Sequence, residues 1–394
     1  MTEKSKSKER PIYLDYHSTT PVDIRVAEKV MYYMTTAFGN PSSVTHSYSD
    51  EAEEAITQAR NDIAELINAS PKEIIFTSGA TESINLAMFG LIKDCSKKYK
   101  IAVSPLEHKA ILDTCKNLSK KNLSETIYLK VDHKGRIDLE DLEQKCQEGI
   151  DLVCIMAANN EIGNIYPVNK IGEITDKYNV PFLCDATQAV GRIPINFEES
   201  KITYLTLSAH KMYGPKGAGA LVIRKGHSLN PMLCGGGQQK GIRPGTLNVS
   251  GIVGLGESCR LRNIEMMEDE KEIKIKRDDL LNFLQKNIPE LIVNGDIDNK
   301  LSGNLSISIP NISNSDVINK VRDKIAISTG SACSSGFEGA SHVLTALGLS
   351  SSIIGGTLRI AIGKYTSNND IAQAKNILLD SIKYLQSKSL VNSK

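Results

Sequence analysis

The chain has 394 residues, 40% of them hydrophobic and 24% charged, with a formal net charge of +1. That length can bury a sizeable core in two or three domains, and the near-neutral balance offers no electrostatic surplus for binding nucleic acid or a membrane surface. The eight cysteines are scattered, without C-x-x-C pairs or metal-ligand spacing, a pattern that implies no metal and suits a reducing compartment. No apolar run approaches the roughly 20 residues of a membrane span, and the N-terminus lacks the apolar core of a signal peptide, so the expected location is cytoplasmic.

After a basic tip, residues 12–15 read as a short strand, and His17-Ser-Thr-Thr-Pro21 as a turn into a helix that starts near Asp23. Asn40-Pro-Ser-Ser43 is a second turn. From Asp50, the residues Ala52, Ile56, Ala59, Ile63 and Ile67 recur at helical spacing. A strand over 73–77 then hands over at Ser78-Gly-Ala-Thr81 to a helix through Leu91, and a strand over 101–104 hands over at Glu107-His108 to a helix reaching about Leu118. Strands over 152–157, 182–185 and 204–208 follow, with a helix over 168–178 between the first two. This alternation predicts an α/β fold, a mainly parallel sheet covered by helices on both faces. Ligands in such sheets bind at the carboxyl ends of the strands, where the polar clusters lie.

The charge run 265–277 leads into Leu280, Leu281 and Leu284 and predicts a long helix whose charges are a solvated face. A strand over 304–309, a helix from 316, a Gly- and Ser-rich loop over 328–339, a strand over 358–362 and a last helix from about 370, ending near 385, make a smaller α+β unit.

Several strand ends carry chemistry. The stretch from Leu205 to Ala220 ends an apolar run in Ser208, His210 and Lys211 and continues into a glycine-rich turn. Lys211 reads either as a lysine that holds an aldehyde cofactor or as a solvated lysine on a turn. Thr81 opens a helix, where free N–H groups favour an anion, or simply caps it. Neither nucleotide-binding glycine fingerprint is present. Asp185 could hold a pyridinium nitrogen protonated or could cap the following helix, with Gln188 three residues on. His108 reads as structural or catalytic. Cys154 and Cys184 fall inside apolar strands and read as core. Cys333, in Ser331-Ala-Cys333-Ser-Ser-Gly336, reads as a thiol on a loop able to swing or as an incidental cysteine. Ser208-x-x-Lys211 also spells a serine acylase motif, but its S-D-N and K-T-G partners are absent.

Together these motifs resemble the pyridoxal-phosphate cysteine desulfurases of the NifS and IscS type. The match runs in family order along nearly the whole chain, through Tyr13-Leu-Asp15, Thr19-Thr-Pro21, Gly39-Asn-Pro-Ser-Ser43, Phe76-Thr-Ser-Gly-Ala-Thr-Glu82, Glu107-His-Lys109, Asn159-Asn-Glu-Ile-Gly163, Asp185-Ala-Thr-Gln188, Ser208-Ala-His-Lys211, Gly235-Gly-Gly237, Arg243-Pro-Gly-Thr246, Ser331-Ala-Cys333 and Leu358-Arg359. The resemblance implies fold type I, that of aspartate aminotransferase: a large cofactor-binding domain over 17–264 and a small domain of 1–16 and 265–394 that carries the cysteine loop at about 328–340. It implies a homodimer with active sites at the subunit interface.

By the same resemblance, Lys211 holds pyridoxal 5'-phosphate, Asp185 pairs with the pyridine nitrogen, Gln188 contacts the phenolic oxygen and His108 stacks on the ring. Thr81, Ser208 and His210 hold the phosphate, with Thr246 reaching in from the partner subunit, and Asn160 and Arg359 bind the substrate carboxylate. The implied reaction turns L-cysteine into L-alanine. Lys211 removes the Cα proton and the Cys333 thiolate takes the sulfur as a persulfide for an acceptor protein, in iron-sulfur assembly, tRNA thiolation or DNA phosphorothioation. The alternative is a selenocysteine lyase or another lyase with the same cofactor. The Ser-Ala-Cys-Ser-Ser loop resembles the long-loop subgroup. Ser18 stands where the family often has Ala, Ser49 where Gly is common, and Cys234 where His often precedes the glycine triplet. The long tail with which IscS-type members engage an iron-sulfur scaffold is not matched.

Overall fold

The computed structural model describes residues 10–43, 45–329 and 340–392. A short strand β1 (Ile12–Tyr13) leads to α1 (Ile24–Thr35), capped by the Asp23 carboxylate on the Arg25 amide. In α2 (Ser47–Ile67) the predicted stripe Ala52, Ile56, Ala59, Ile63 and Ile67 is buried. Strand and helix then alternate: β2 (Ile74–Thr77) and α3 (Ala80–Gly90), β3 (Tyr99–Val103) and α4 (Lys109–Lys120), β4 (Ser124–Tyr128) and α5 (Leu139–Gln147), β5 (Leu152–Cys154) and α6 (Val168–Lys177). The strands β6 (Phe182–Asp185), β7 (Tyr204–Ser208) and β8 (Gly219–Ile223) complete a seven-stranded sheet of order β2-β8-β7-β6-β5-β3-β4.

Every neighbouring pair in this sheet is parallel except those made by β8, which runs antiparallel to β2 and β7. Strands β5 to β8 are buried along their whole length, as a sheet covered on both faces requires. One apolar cluster lies against α2, α5 and α6 and a second against α3 and α4. The mainly parallel α/β sheet matches the expectation. Three elements, β4, α5 and β8, are additions to it. β4 is a half-buried edge strand with weak alternation, and β8 follows directly on the glycine turn that masked its start.

The long helix α7 (Val249–Asn287) starts well before the predicted 265. Gly254 and Gly256 sit where neighbours press on the helix. A Cβ on Gly256 would lie 2.6 Å from the Ala59 Cα, and one on Gly254 2.7 Å from the Val30 Cγ2. Its charges are not all solvated either: Arg277 is buried and donates to the Asn304 carbonyl at 3.3 Å.

Beyond α7 come β9 (Ile292–Val293), β10 (Asn304–Ser308), α8 (Asn314–Val321), β11 (Ile325–Ala326), α9 (His342–Ala346), α10 (Ser351–Gly355), β12 (Thr357–Ala361) and α11 (Asn368–Asn392). The last helix therefore runs past the predicted end near 385. The strands β12-β10-β9 form an antiparallel sheet, and β1 pairs in parallel with β11. A third apolar cluster joins this sheet to the second half of α7 and to α11 through Leu280, Leu284, Leu305, Ile360 and Leu378. A parallel bridge between Asp15 and Ala361 carries residues 15–20 across to the carboxyl edge of the large sheet. Among the described residues no helix is long and apolar enough to cross a membrane, and no group of three or more His, Cys, Asp or Glu could hold a metal ion.

Candidate active site

A cavity of about 470 Å³ opens at that carboxyl edge, within the usual range for small-molecule sites. Strand β7 ends at Ser208, and the single 3₁₀ turn Ala209–Lys211 carries Lys211 into the cavity wall. The Lys211 Nζ donates to the main-chain carbonyls of His17 and Ser18 at 2.7 and 2.6 Å. A solvated surface lysine is thereby ruled out.

Asp185 ends β6, and its Oδ1 accepts from the Thr187 amide at 3.0 Å and the Thr206 hydroxyl at 3.2 Å. It is buried, yet it lines the cavity, so it caps a turn, where a helix was expected, and also faces the site. Gln188 donates from Nε2 to the His17 carbonyl at 2.9 Å and accepts at Oε1 from the Arg192 Nη1 at 2.9 Å. His108 also has two functions. Its Nδ1 caps α4 by accepting from the Ala110 amide at 3.1 Å, while its ring lines the cavity. Burial lowers its pKa, so the imidazole is neutral with its proton on Nε2.

The N-terminus of α3 has no side-chain cap. Its cap residue Gly79 adopts φ 149°, open to glycine alone, and a Cβ there would meet the Ser208 hydroxyl at 3.6 Å. Unspent N–H groups, the helix dipole, Thr81, Ser208 and His210 thus converge on one corner, a ready site for an anion. His210 approaches the Thr19 hydroxyl at 3.1 Å through Nδ1 and is pushed down to about 4 by burial and then by the charge of Lys211. Another cavity-lining residue, Thr187, has a buried hydroxyl with no hydrogen-bond partner among the described residues.

Arg359 reaches the cavity from β12. It is 1% exposed; its Nη2 donates to the Asp15 carboxylate at 2.9 Å and the Ser18 hydroxyl at 2.7 Å, and its Nη1 to the Asn160 carbonyl at 3.1 Å. Its Nε has no hydrogen-bond partner among the described residues. Asn160 lines the same wall.

Two predicted site residues are not brought together with these. Thr246 is exposed and outside the cavity. Cys333 lies outside the described residues. The chain preceding it is fixed at Ser328, which exchanges main-chain hydrogen bonds of 3.1 and 2.7 Å with Arg359. The chain following it is fixed at Ser341 and His342, bonded to the Glu161 carboxylate at 2.6 Å and the Glu107 carbonyl at 2.9 Å. Both fixed points touch residues of the cavity wall or their neighbours. Cys154 and Cys184 are buried in β5 and β6, where burial pushes their thiols well above the ordinary range, so neither supplies a thiolate.

Sequence reading missed the roles of His17, Ser18 and Arg192. The turn signal at residues 17–21 was visible, but nothing in it marked two carbonyls as the acceptors of Lys211.

Comparison with known proteins agrees with this geometry. The class-V aminotransferase family matches residues 12–373. The cysteine desulfurase IscS of Shewanella loihica is 44% identical over 384 residues, which cover 96% of this chain and 94% of that protein. Among solved structures, a NifS-like protein superposes with a TM-score of 0.87 at 36% identity, covering 96% of this chain and all of the other. SspA in complex with cysteine superposes with a TM-score of 0.79 at 33% identity, covering 90% and 99%. A lysine, a carboxylate and an anion corner on this fold, with identity of that extent, place the chain in the class-V aminotransferase family, among its cysteine desulfurases.

Proposed function

We propose that this protein takes the sulfur of L-cysteine onto Cys333 as a persulfide, releases L-alanine and passes the sulfur to an acceptor protein. The observation that carries this reading is the meeting of Lys211, Asp185 and the uncapped N-terminus of α3 in one cavity. Pyridoxal phosphate, the cofactor general to the family, fits that donor set. Lys211 offers the amine for its aldehyde, Asp185 the carboxylate for its ring nitrogen, Gln188 a donor for its phenolic oxygen and His108 a face for its ring. Thr81, Ser208, His210 and the α3 amides suit its phosphate. The Thr187 hydroxyl, without a partner among the described residues, further supports a polar ligand in this space.

When bound, the cofactor supplies an electron sink for negative charge at the substrate Cα. The side chains do the rest. Lys211, released from the two carbonyls, takes the Cα proton. Arg359 and Asn160 hold the substrate carboxylate, Arg359 with an Nε that has no partner among the described residues to give up. The Cys333 thiolate attacks the substrate sulfur: an S–S bond forms, the C–S bond breaks, and its electron pair stays on Cβ and is protonated to the methyl group of alanine. His108, neutral with its proton on Nε2, can present that N–H as a hydrogen-bond donor in that step.

The phosphate corner is completed by Thr246 of a second copy, so the active protein is a homodimer. The exposure of Thr246 and of the apolar residues Ile24, Met31, Met34 and Phe38 supports this. The separate apolar cluster of the smaller sheet supports a division into a large unit of 17–264 and a small one of 1–16 and 265–394. The seven described cysteines are all free, which supports a reducing cytoplasm. Cys333→Ser is expected to keep the visible absorption of the lysine-bound cofactor and lose sulfur transfer. Alanine production at the wild-type rate in that variant would remove Cys333 from the mechanism.

A further inference from the structure

Arg192 does not line the cavity and has no role in the chemistry above, yet it binds three of the groups that build the wall. Its Nη1 donates to the Gln188 Oε1 at 2.9 Å, and its Nη2 to the main-chain carbonyls of Tyr16 at 2.8 Å and Lys211 at 3.2 Å. Gln188 donates in turn to the His17 carbonyl at 2.9 Å, the same oxygen that accepts the Lys211 Nζ at 2.7 Å. One guanidinium therefore ties the Gln188 amide to the main chain of Lys211 on one side and to the 16–17 segment on the other.

This arrangement forces the orientation of the Gln188 amide. A guanidinium only donates and a main-chain carbonyl only accepts. Turning the amide over would set donor against donor at Arg192 and acceptor against acceptor at His17. His17 and Gln188 are 2% and 5% exposed, so water cannot relieve either mismatch. Of the two hydrogens on Gln188 Nε2, one goes to His17 and one remains on a residue that lines the cavity.

We propose that Arg192 is a positioning residue of this desulfurase site, holding Gln188 so that an N–H, never its carbonyl, faces the phenolic oxygen of the cofactor. The inference rests on the assignments of Gln188 and Lys211 made under Proposed function. A donor on that oxygen draws its electrons away from the proton on the neighbouring Lys211 nitrogen, and the guanidinium adds a like charge nearby. Both favour loss of that proton, so removing either raises the pKa of the cofactor-bearing nitrogen. The other charged or titratable groups around the cavity stay unchanged in every variant: His17 on the N-terminal turn, Glu82 on α3, His108 at the cap of α4, Asp185 on β6, His210 and Lys216 after β7, and Arg359 on β12.

The test is a pH titration of the visible absorption of the cofactor-loaded enzyme, which reads the Lys211 nitrogen without turnover. Gln188→Ala is expected to raise its pKa by about one unit. Arg192→Lys keeps the charge but cannot span three acceptors, and is expected to reproduce most of that shift. Arg192→Gln, losing charge as well, should exceed it; if that variant does not fold, Arg192→Lys alone carries the test. The double variant Arg192→Lys/Gln188→Ala should titrate like Gln188→Ala, because the two changes remove one interaction. A shift in Gln188→Ala with wild-type titration in Arg192→Lys, or shifts that add in full, would overturn the role of Arg192. Wild-type titration in Gln188→Ala would instead overturn the assignment of Gln188 itself, and the role of Arg192 with it.

Discussion

The sheet-edge wall of the cavity acts through side chains, whereas the opposite wall, residues 15–20, acts mostly through its main chain. Lys211, Asp185, His108 and Ser208 stand at strand ends and are useful because of their chemical type. His17 and Ser18 receive Lys211 through carbonyl oxygens that any residue would supply. What makes those two carbonyls useful is the path of the chain, fixed by the pairing of β1 with β11 and the bridge from Asp15 to Ala361. Under the proposed function, a substitution on the first wall removes chemistry. On the second wall, a substitution reaches only what the side chain adds to a position the main chain already holds.

The largest expected effect tests the first wall. Lys211→Ala should lower alanine release by at least about a thousandfold, measured with saturating cysteine, and a loss of only severalfold would break the contrast. His108 separates support from chemistry within one side chain. His108→Asn keeps a good N-cap and should keep the melting temperature while losing about a hundredfold in rate. His108→Ala should lose a similar rate and also about 1 kcal/mol of stability in urea unfolding. Arg359→Lys trades a fork for a point charge and should raise KM for cysteine about tenfold or more, with kcat changed less.

A pH effect follows from His210. Its folded-state pKa of about 4 lies below the ordinary 6.5, so between those values the unfolded chain binds a proton that the folded chain refuses. Stability must fall as pH drops through that window. Thermal melts of the cofactor-free protein should show this, with a shallower fall in His210→Asn. The smallest effect is expected on the second wall: Ser18→Ala removes the hydroxyl that accepts from Arg359 at 2.7 Å. It should cost about 1 kcal/mol, read as a KM increase of about fivefold with the Lys211 chemistry intact. A thousandfold loss there would show that the second wall carries chemistry after all.

Much of the first wall was legible in the sequence because each residue sits where a short apolar run stops, and in a parallel sheet all such stops fall on one edge. Lys211, Asp185, His108, Ser208 and Thr81 were found this way, and the cavity gathers all five. Arg359 lies on the other sheet, 148 residues from Lys211 (359 minus 211), and only the family resemblance pointed to it. Arg192 gave no signal, because an arginine two residues after a buried Val190 looks like any turn arginine until its three acceptors are in place. The glycines near the start of α7 follow the same logic. Their cost in an isolated helix is local and visible, whereas their benefit, close contact with Ala59 and Val30, exists only after packing.

The sequence alone determined the α/β sheet, the chemical groups at its carboxyl edge and the strand-to-helix turn at residues 78–81. Those follow from periodicity and residue type, which act over a few neighbouring residues. Only the tertiary structure decided which carbonyls receive Lys211, which way the Gln188 amide faces, and that Arg359 and Ser18 meet. Hydrogen-bond partners so far apart in the chain are chosen by where the backbone runs, a position set by strand pairing and core packing across the two sheets.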